Sequence, residues 1–353
     1  MGRPSLEQPF VQGTIRTETG EVPRIDSALV WADRWGSIKA RWGIGRMHYK
    51  VDPGLYALGS PDRRSPVLVT ANYKMSFDRL RAALSGRDAW ILVLDTRGIN
   101  VWCAAGKGTF GTEELIFRIE SSELERVVSQ RTVILPQLAG PGVAAHQVRR
   151  LSGFKAVYGP VRAEDLPAFL DAGLKATPEM RKKTFTIKER AALIPVELVG
   201  TLKWAVIICP LLFILGGLGG GGLFWVKALS AGLFAVLSFS SAILAGAVAT
   251  PLLLPWLPGR AFAFKGMVMG LVAAFILSIA HIGNFGTWSA RLEVLAWFLL
   301  TPAVAGYLAM NFTGSSTYTS LSGVKKEMKW AVPIEIGAGG VGLVLLLSSR
   351  FMA

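Results

Sequence analysis

Val67-Leu68-Val69-Thr70, Trp90-Ile91-Leu92-Val93-Leu94-Asp95, Thr132-Val133-Ile134-Leu135 and Lys155-Ala156-Val157-Tyr158 are four short runs dominated by apolar side chains. Runs of this length, bounded by polar and turn residues, read as buried strands. Between and after them lie stretches with helical character: 77–86, where Leu80, Ala83 and Leu84 share a face, then 123–129, 141–151 and 163–172, the last closed by Gly173. Strands alternating with helices predict a mostly parallel α/β sheet covered by helices. Such sheets bind ligands beyond the carboxyl ends of their strands. That rule selects residues 70–73, 96–106, 136–142 and 159–162, four loops expected to ring one pocket.

This α/β domain is expected over residues 61–180, and residues 1–60 read as a lead-in that packs on it. Within the lead-in, Trp31, Trp35 and Trp42 interleave with Arg34, Lys39, Arg41 and Arg46 before a turn at Pro53-Gly54. Packing on the domain is the expected role; contact with a cofactor or membrane is the alternative. Downstream, Arg181-Lys182-Lys183, Lys188 and Arg190 make 181–200 a basic linker. Residues 201–353 then hold five apolar segments, near 202–218, 228–252, 266–282, 294–311 and 331–348. Each approaches the ~20 residues a helix needs to cross a bilayer. Cations of the linker, Arg260 with Lys265, and Lys325, Lys326 and Lys329 would share one side, against Lys227, Arg291 and Arg350 on the other. That bias predicts a multi-pass protein of the cell membrane, its N-terminal domain cytoplasmic and its C-terminus outside. The polar first 30 residues, with Pro4, Pro9 and Pro23 and no apolar h-region, give the same expectation.

The 353 residues are 51% hydrophobic with a net charge of +14. Many cations flank apolar segments, and no nucleic-acid reader motif is present, so a nucleic-acid partner is not expected. Cys103 and Cys209 are the only cysteines and form no C-x-x-C pair. An iron–sulfur cluster or structural zinc site built by this chain alone is thereby excluded.

The chemistry concentrates in Asn100-Val101-Trp102-Cys103-Ala104-Ala105-Gly106-Lys107, directly after the second strand. Cys103 falls at the carboxyl edge of the sheet near the start of a helical segment, where the helix terminus and Lys107 favour a thiolate. Small Ala104, Ala105 and Gly106 would let a large flat group approach. A cysteine after an apolar strand can equally be a small buried hydrophobe, and spacing alone leaves both roles open. Other signals carry less. Gly106-Lys107-Gly108-Thr109 lacks phosphate-loop spacing, and Gly217-x-Gly219-x-x-Gly222 ends a membrane segment, where a turn or close helix contact is expected. Cys209, beside Pro210, is expected to pack, and Glu293 and Glu335 to snorkel from span ends. His281 reads either as functional or as a packing residue.

The 100–107 stretch resembles the cap-helix signature of the HgcA family, the corrinoid proteins of microbial mercury methylation. The soluble domain of that family is similar to the corrinoid subunit of the acetyl-CoA-pathway iron–sulfur protein. Val69-Thr70-Ala71-Asn72-Tyr73-Lys74, the run from Ile134 to Val143 and the run from Val157 to Ala163 resemble the same family. So does a soluble domain followed by five membrane helices, and the likeness spans roughly residues 60–350.

The resemblance implies a Rossmann-like corrinoid-binding domain followed by an all-α transmembrane domain of five helices. It implies a corrinoid-dependent methyltransferase carrying a cobalamin-type cofactor, base-off, with Cys103 as the lower axial ligand of cobalt. Asn100, Val101, Trp102, Ala104, Ala105, Gly106 and Lys107 would pack against the corrin, and Thr70, Asn72 and Tyr73 would line its pocket. An axial thiolate donates strongly, as in haem proteins, and would give the methyl group the carbanion character that Hg(II) needs to become methylmercury. The implied partners are a ferredoxin-like protein with 4Fe–4S clusters as electron donor and a methyl-folate methyltransferase as methyl source. The histidine-ligand pattern D-x-H-x-x-G is missing, because none of His48, His146 and His281 has Asp two residues before it. Two alternatives remain: methyl transfer in acetyl-CoA-type one-carbon metabolism, and a transporter with a cytoplasmic domain.

Overall fold

The computed structural model describes residues 4–219, 221–280, 286–312 and 321–352. His281 lies outside them. The chain divides into two compact units: residues 1–40 with 44–183, and residues 184–353 with 41–43.

The first unit is built on a seven-stranded sheet. Its elements are β1 (Val11–Thr17), β2 (Gly20–Ile25), α1 (Trp31–Arg41), β3 (Gly54–Leu58), β4 (Val67–Ala71), α2 (Lys74–Ala83), β5 (Ala89–Leu94) and α3 (Val101–Lys107). There follow α4 (Thr112–Ser121), α5 (Leu124–Val127), β6 (Thr132–Leu135), α6 (Ala145–Ser152), β7 (Lys155–Tyr158) and α7 (Leu166–Asp171). Strand order is β1-β2-β3-β5-β4-β6-β7. Strands β5, β4, β6 and β7 are parallel neighbours, as the alternation of strand and helix predicts. The sheet as a whole is mixed: β3 runs antiparallel to β5, and β1 with β2 is an antiparallel hairpin. Residues 11–58, read from the sequence as a lead-in, thus supply three strands of the same sheet.

Burial on both faces explains why β4 and β5 are continuous apolar runs. Every residue of both strands is buried. Val67, Val69, Ala71, Leu92 and Leu94 face one core with Leu115 and Ile119 of α4 and Val148 of α6. Leu68, Ile91 and Val93 face a second core with Phe77 and Leu80 of α2 and Leu166 and Phe169 of α7. The chain runs from β4 to β5 on one side, then returns to place β6 on the other side of β4. Such a reversal opens the ligand crevice of a parallel sheet at the carboxyl ends of the strands flanking it, here β4 and β6.

A buried charge cluster ties α1 to α2. Lys74 Nζ donates to Asp33 at 2.7 Å and to Asp78 at 2.8 Å. Arg81 reaches Asp33 at 2.6 Å and Asp78 at 2.9 Å, and its Nη1 donates to the carbonyls of Asp26 (2.7 Å) and Ala28 (2.9 Å). Two cations and two anions compensate each other, which is the condition for burying them.

The second unit contains, among the described residues, five helices long and apolar enough to cross a membrane: Ile187–Gly217, Phe224–Leu253, Phe262–Ile279, Trp288–Asn311 and Ser322–Phe351. All five overlap the segments expected from sequence, but the first begins at Ile187, so most of the stretch read as a basic linker over 181–200 is helical, and the expected end of the third at 281–282 lies outside the described residues. Gly219 and Gly222, with φ of 76° and 108°, lie between the helix that ends at Gly217 and the one that begins at Phe224. Glu293 and Glu335 do not snorkel. Both are buried, and Glu293 pairs with Arg350, because these positions face neighbouring helices rather than the ends of the bundle.

Candidate functional site

The site is organised around α3, seven residues that would be unstable as an isolated helix. Asn100 caps it, its Oδ1 accepting the Cys103 backbone N–H at 2.9 Å. At the other end Gly108 adopts φ 79°, and the N–H groups of Thr109 and Phe110 return to the Ala104 carbonyl at 3.0 and 3.1 Å. Tertiary packing does the rest. Val101, Ala104 and Ala105 are buried in the first core beside Phe110, Ala139 and Val143. Helix α3 lies against the end of β4 and the turn at 137–139.

Two faces follow from that packing. Ala104 and Ala105 use their small size inward. A Cβ on Gly142 would run into the Phe110 carbonyl and stand 3.0 Å from Ala105 Cα, so both partners must be small for α3 to reach the sheet. Trp102, Cys103, Gly106 and Lys107 form the outer face and are exposed. Trp102 is 41% exposed, and a Cβ on Gly106 would meet nothing within 4 Å. Cys103 therefore presents its thiol at an open surface beside a residue with no side chain. It is not among the buried aliphatic residues.

Thr70, Asn72 and Tyr73 sit beneath this helix and are buried. Asn72 is the hub. Its Oδ1 accepts the backbone N–H groups of Thr96 (3.1 Å) and Gly98 (2.9 Å), and its Nδ2 donates to Asp95 at 3.0 Å. The Asn72 side chain thus holds the loop that delivers α3. The Tyr73 hydroxyl donates to Met75 Sδ at 3.0 Å. Thr70 pairs in register with Val93 inside the sheet.

The remaining two loops close the rim. The Tyr158 hydroxyl donates to the Val143 carbonyl, and burial holds the Tyr158 phenol above its usual pKa. Arg181 Nη1 donates to the carbonyls of Tyr158 (3.0 Å) and Gly159 (3.1 Å) and to Gln137 Oε1. The 70–73, 96–100 and 136–142 loops therefore meet around α3, and the 159–162 loop adjoins the third, its Pro160 carbonyl accepting the Gln137 N–H at 3.4 Å. Asp95 and Glu114 are participants that sequence reasoning missed: Glu114 Oε1 accepts the Asp95 N–H at 2.7 Å and Arg118 Nε at 2.6 Å. The acid-rich start of α4 was the available signal. Among the described residues no three His, Cys, Asp or Glu side chains cluster as a metal site, and His48 and His146 are exposed. A cavity of about 550 Å³ lies at the opposite, amino edge, lined in part by Pro66, Val67, Ala89 and Thr132.

Comparison with known proteins matches the part of the chain that builds this rim. Residues 45–170 match the family model CdhD, the CO dehydrogenase/acetyl-CoA synthase delta subunit. The match runs from the turn before β3 into α7, and so includes β4 to β7 and α3. Among similar proteins is the acetyl-CoA decarbonylase/synthase complex subunit gamma of Methanopyrus kandleri, 33% identical over 124 residues, or 35% of this chain and 26% of that protein. The gamma subunit of Methanothermobacter thermautotrophicus is 31% identical over 123 residues, 34% of this chain and 26% of its own. That of Methanocaldococcus jannaschii is 36% identical over 91 residues, 25% and 19% of the two chains. The chain thus spans about a quarter or less of the length of these relatives.

Proposed function

We propose that the first unit is the corrinoid-carrying module of a methyltransferase that delivers a methyl group to inorganic Hg(II), with Cys103 as the lower axial ligand of cobalt. The observation that carries this reading is the exposed Cys103 on the outer face of α3, beside Gly106 and above the carboxyl ends of β4 and β6. When bound, the corrinoid supplies a transferable methyl group, and a thiolate ligand gives it the electron-rich polarity that a soft mercuric ion takes up.

The chain's own residues have definable tasks. Cys103, exposed on that face, would be the residue that holds the metal through its sulfur. Asn100 fixes the Cys103 backbone. Trp102, Gly106 and Lys107 share the exposed face and would pack against the ring. Val101, Ala104 and Ala105 anchor the helix from behind, while Thr70, Asn72 and Tyr73 support the strand ends beneath it. Return of the cofactor to its reduced state requires an electron donor, for which a ferredoxin-like protein with 4Fe–4S clusters is proposed, and a methyl-folate methyltransferase is proposed as methyl source. Five helices long and apolar enough to cross a membrane support a membrane location, and the cation bias supports a cytoplasmic first unit.

The names of the matched relatives favour a second reading, methyl transfer of the acetyl-CoA decarbonylase/synthase type, on the same cofactor. Two measurements separate the readings. A cobalt–thiolate corrinoid spectrum of the purified protein, lost in Cys103→Ala, is expected for the ligand assignment; a spectrum unchanged by the substitution refutes it. Cells carrying Cys103→Ala are expected to make no methylmercury, and undiminished production rejects the assignment of mercury methylation to this protein through Cys103.

A further inference from the structure

Helix α1 carries an apolar stripe on the side facing away from its own domain. Trp31, Trp35 and Ile38 stand one or two turns apart on one face and are 72%, 48% and 41% exposed. Asp33 and Ala40, on the other face, are the buried positions of the helix. The Trp31 and Trp35 rings stack with centroids 6.4 Å apart and planes 11° from parallel. Val30, before the helix, is also exposed, and Trp42 continues the spacing beyond it. Arg34 and Lys39 are exposed on either side of the stripe.

The stripe is not core, because the inward face is already taken by Asp33, with its ion pairs to Lys74 and Arg81, and by Ala40. A run of large apolar side chains left in water on one helix needs a cover. Its composition specifies which. Indoles with an apolar body and a polar N–H, edged by Arg and Lys, are what a helix lying in the headgroup layer of a bilayer presents. The cations meet lipid phosphates there. Chain continuity points the same way: the first unit ends at Lys183, and the first candidate span begins at Ile187. A domain tethered that closely meets a bilayer surface at high effective concentration, so a short stripe suffices where a free helix would not.

We propose that α1 is an interfacial membrane anchor, with Trp31, Trp35 and Ile38 set among lipid headgroups and Arg34 and Lys39 on their phosphates. The proposal is independent of the cofactor reading. The test uses the full-length chain with Cys103→Ser and Cys209→Ala, reconstituted in nanodiscs of phosphatidylcholine and phosphatidylglycerol. Single cysteines (Trp31→Cys, Trp35→Cys or Ile38→Cys) carry a nitroxide label whose collisions with oxygen and with a water-soluble nickel chelate are compared. A label at Glu125→Cys, exposed elsewhere on the same unit, gives the aqueous reference. The oxygen-to-nickel ratio at all three α1 positions is expected to exceed the reference several-fold. A ratio equal to the reference overturns the proposal. Protection from both colliders overturns it too, since a protein surface would then be the cover.

Discussion

Replacing Asn72 by Ala tests how the site is supported. The side chain is buried, and its Oδ1 is the acceptor for the backbone N–H groups of Thr96 and Gly98, both in buried residues. Removing it strands two donors, at roughly 1–3 kcal/mol each by the usual penalty for an unmade buried hydrogen bond. Partial rescue by entering water brings the sum to about 2–4 kcal/mol. The loss is local to the 95–108 segment, because β4 itself keeps its backbone ladder with β5. Hydrogen–deuterium exchange of peptides covering that segment, in the reconstituted full-length protein, should accelerate roughly 30- to 1,000-fold, at about 1.4 kcal/mol per decade. Asn72→Asp keeps the acceptor but sets a carboxylate against Asp95, which the amide of Asn72 now bonds at 3.0 Å; it should fall between wild type and Ala. Exchange of the Ala variant within threefold of wild type would refute the view that Asn72 holds α3 in place.

Cys103→Ala should change exchange of the same segment by less than about threefold, since an exposed side chain contributes little to packing; a large change would mean that the thiol is structural. Gly142→Val places side-chain atoms against the backbone at Phe110 and Ala105 and should cost about 1–3 kcal/mol, seen as a lower thermal midpoint and as faster exchange of α3. Asp33→Asn leaves buried Arg81 and Lys74 with Asp78 as their one remaining carboxylate in the cluster, and should lower stability by about 3 kcal/mol and expose α1 to proteolysis. Acid should act at the same place. Burial opposes ionisation of Asp33, but Lys74 and Arg81 outweigh it and hold its pKa below the ordinary 3.8. A folded-state pKa below the unfolded one gives stability that is complete above pH 3.8 and is lost as pH falls through the folded value. Protease nicking near α1 should therefore rise below that pH, and Asp33→Asn should abolish the dependence.

Strands β4, β5 and β6 were legible because they are buried almost throughout and so read as apolar runs, and the edge strand β7 because Ala156, Val157 and Tyr158 still form a short one. Strands β6 and β7 fall at the bounds the pattern predicts. Strand β1 was not legible. It is an edge strand with mostly exposed or half-buried residues, carrying Thr, Gln and Arg that no burial pattern distinguishes from a loop. Strand β3 was hidden differently: Gly54-Leu55-Tyr56-Ala57-Leu58 is wholly buried, but it follows the Pro53-Gly54 turn so closely that the turn dominates the reading. Helix α4 shows only Leu115 and Ile119 inward, one turn apart, which is too little periodicity to register in ten residues.

Local pattern alone therefore determined the parallel part of the sheet, the five membrane-length helices and the placement of Cys103 at a strand's carboxyl edge. These depend on how many consecutive side chains must leave water, and that is written residue by residue. Which face of α3 bears the thiol, that Asn72 supports a loop with its side chain, and that Asp33 belongs to a cluster with Lys74 and Arg81 were decided by tertiary structure. Each depends on a partner more than 20 residues away or on a helix being pressed against a rim, and sequence spacing carries no information about which of two faces the rest of the chain will cover.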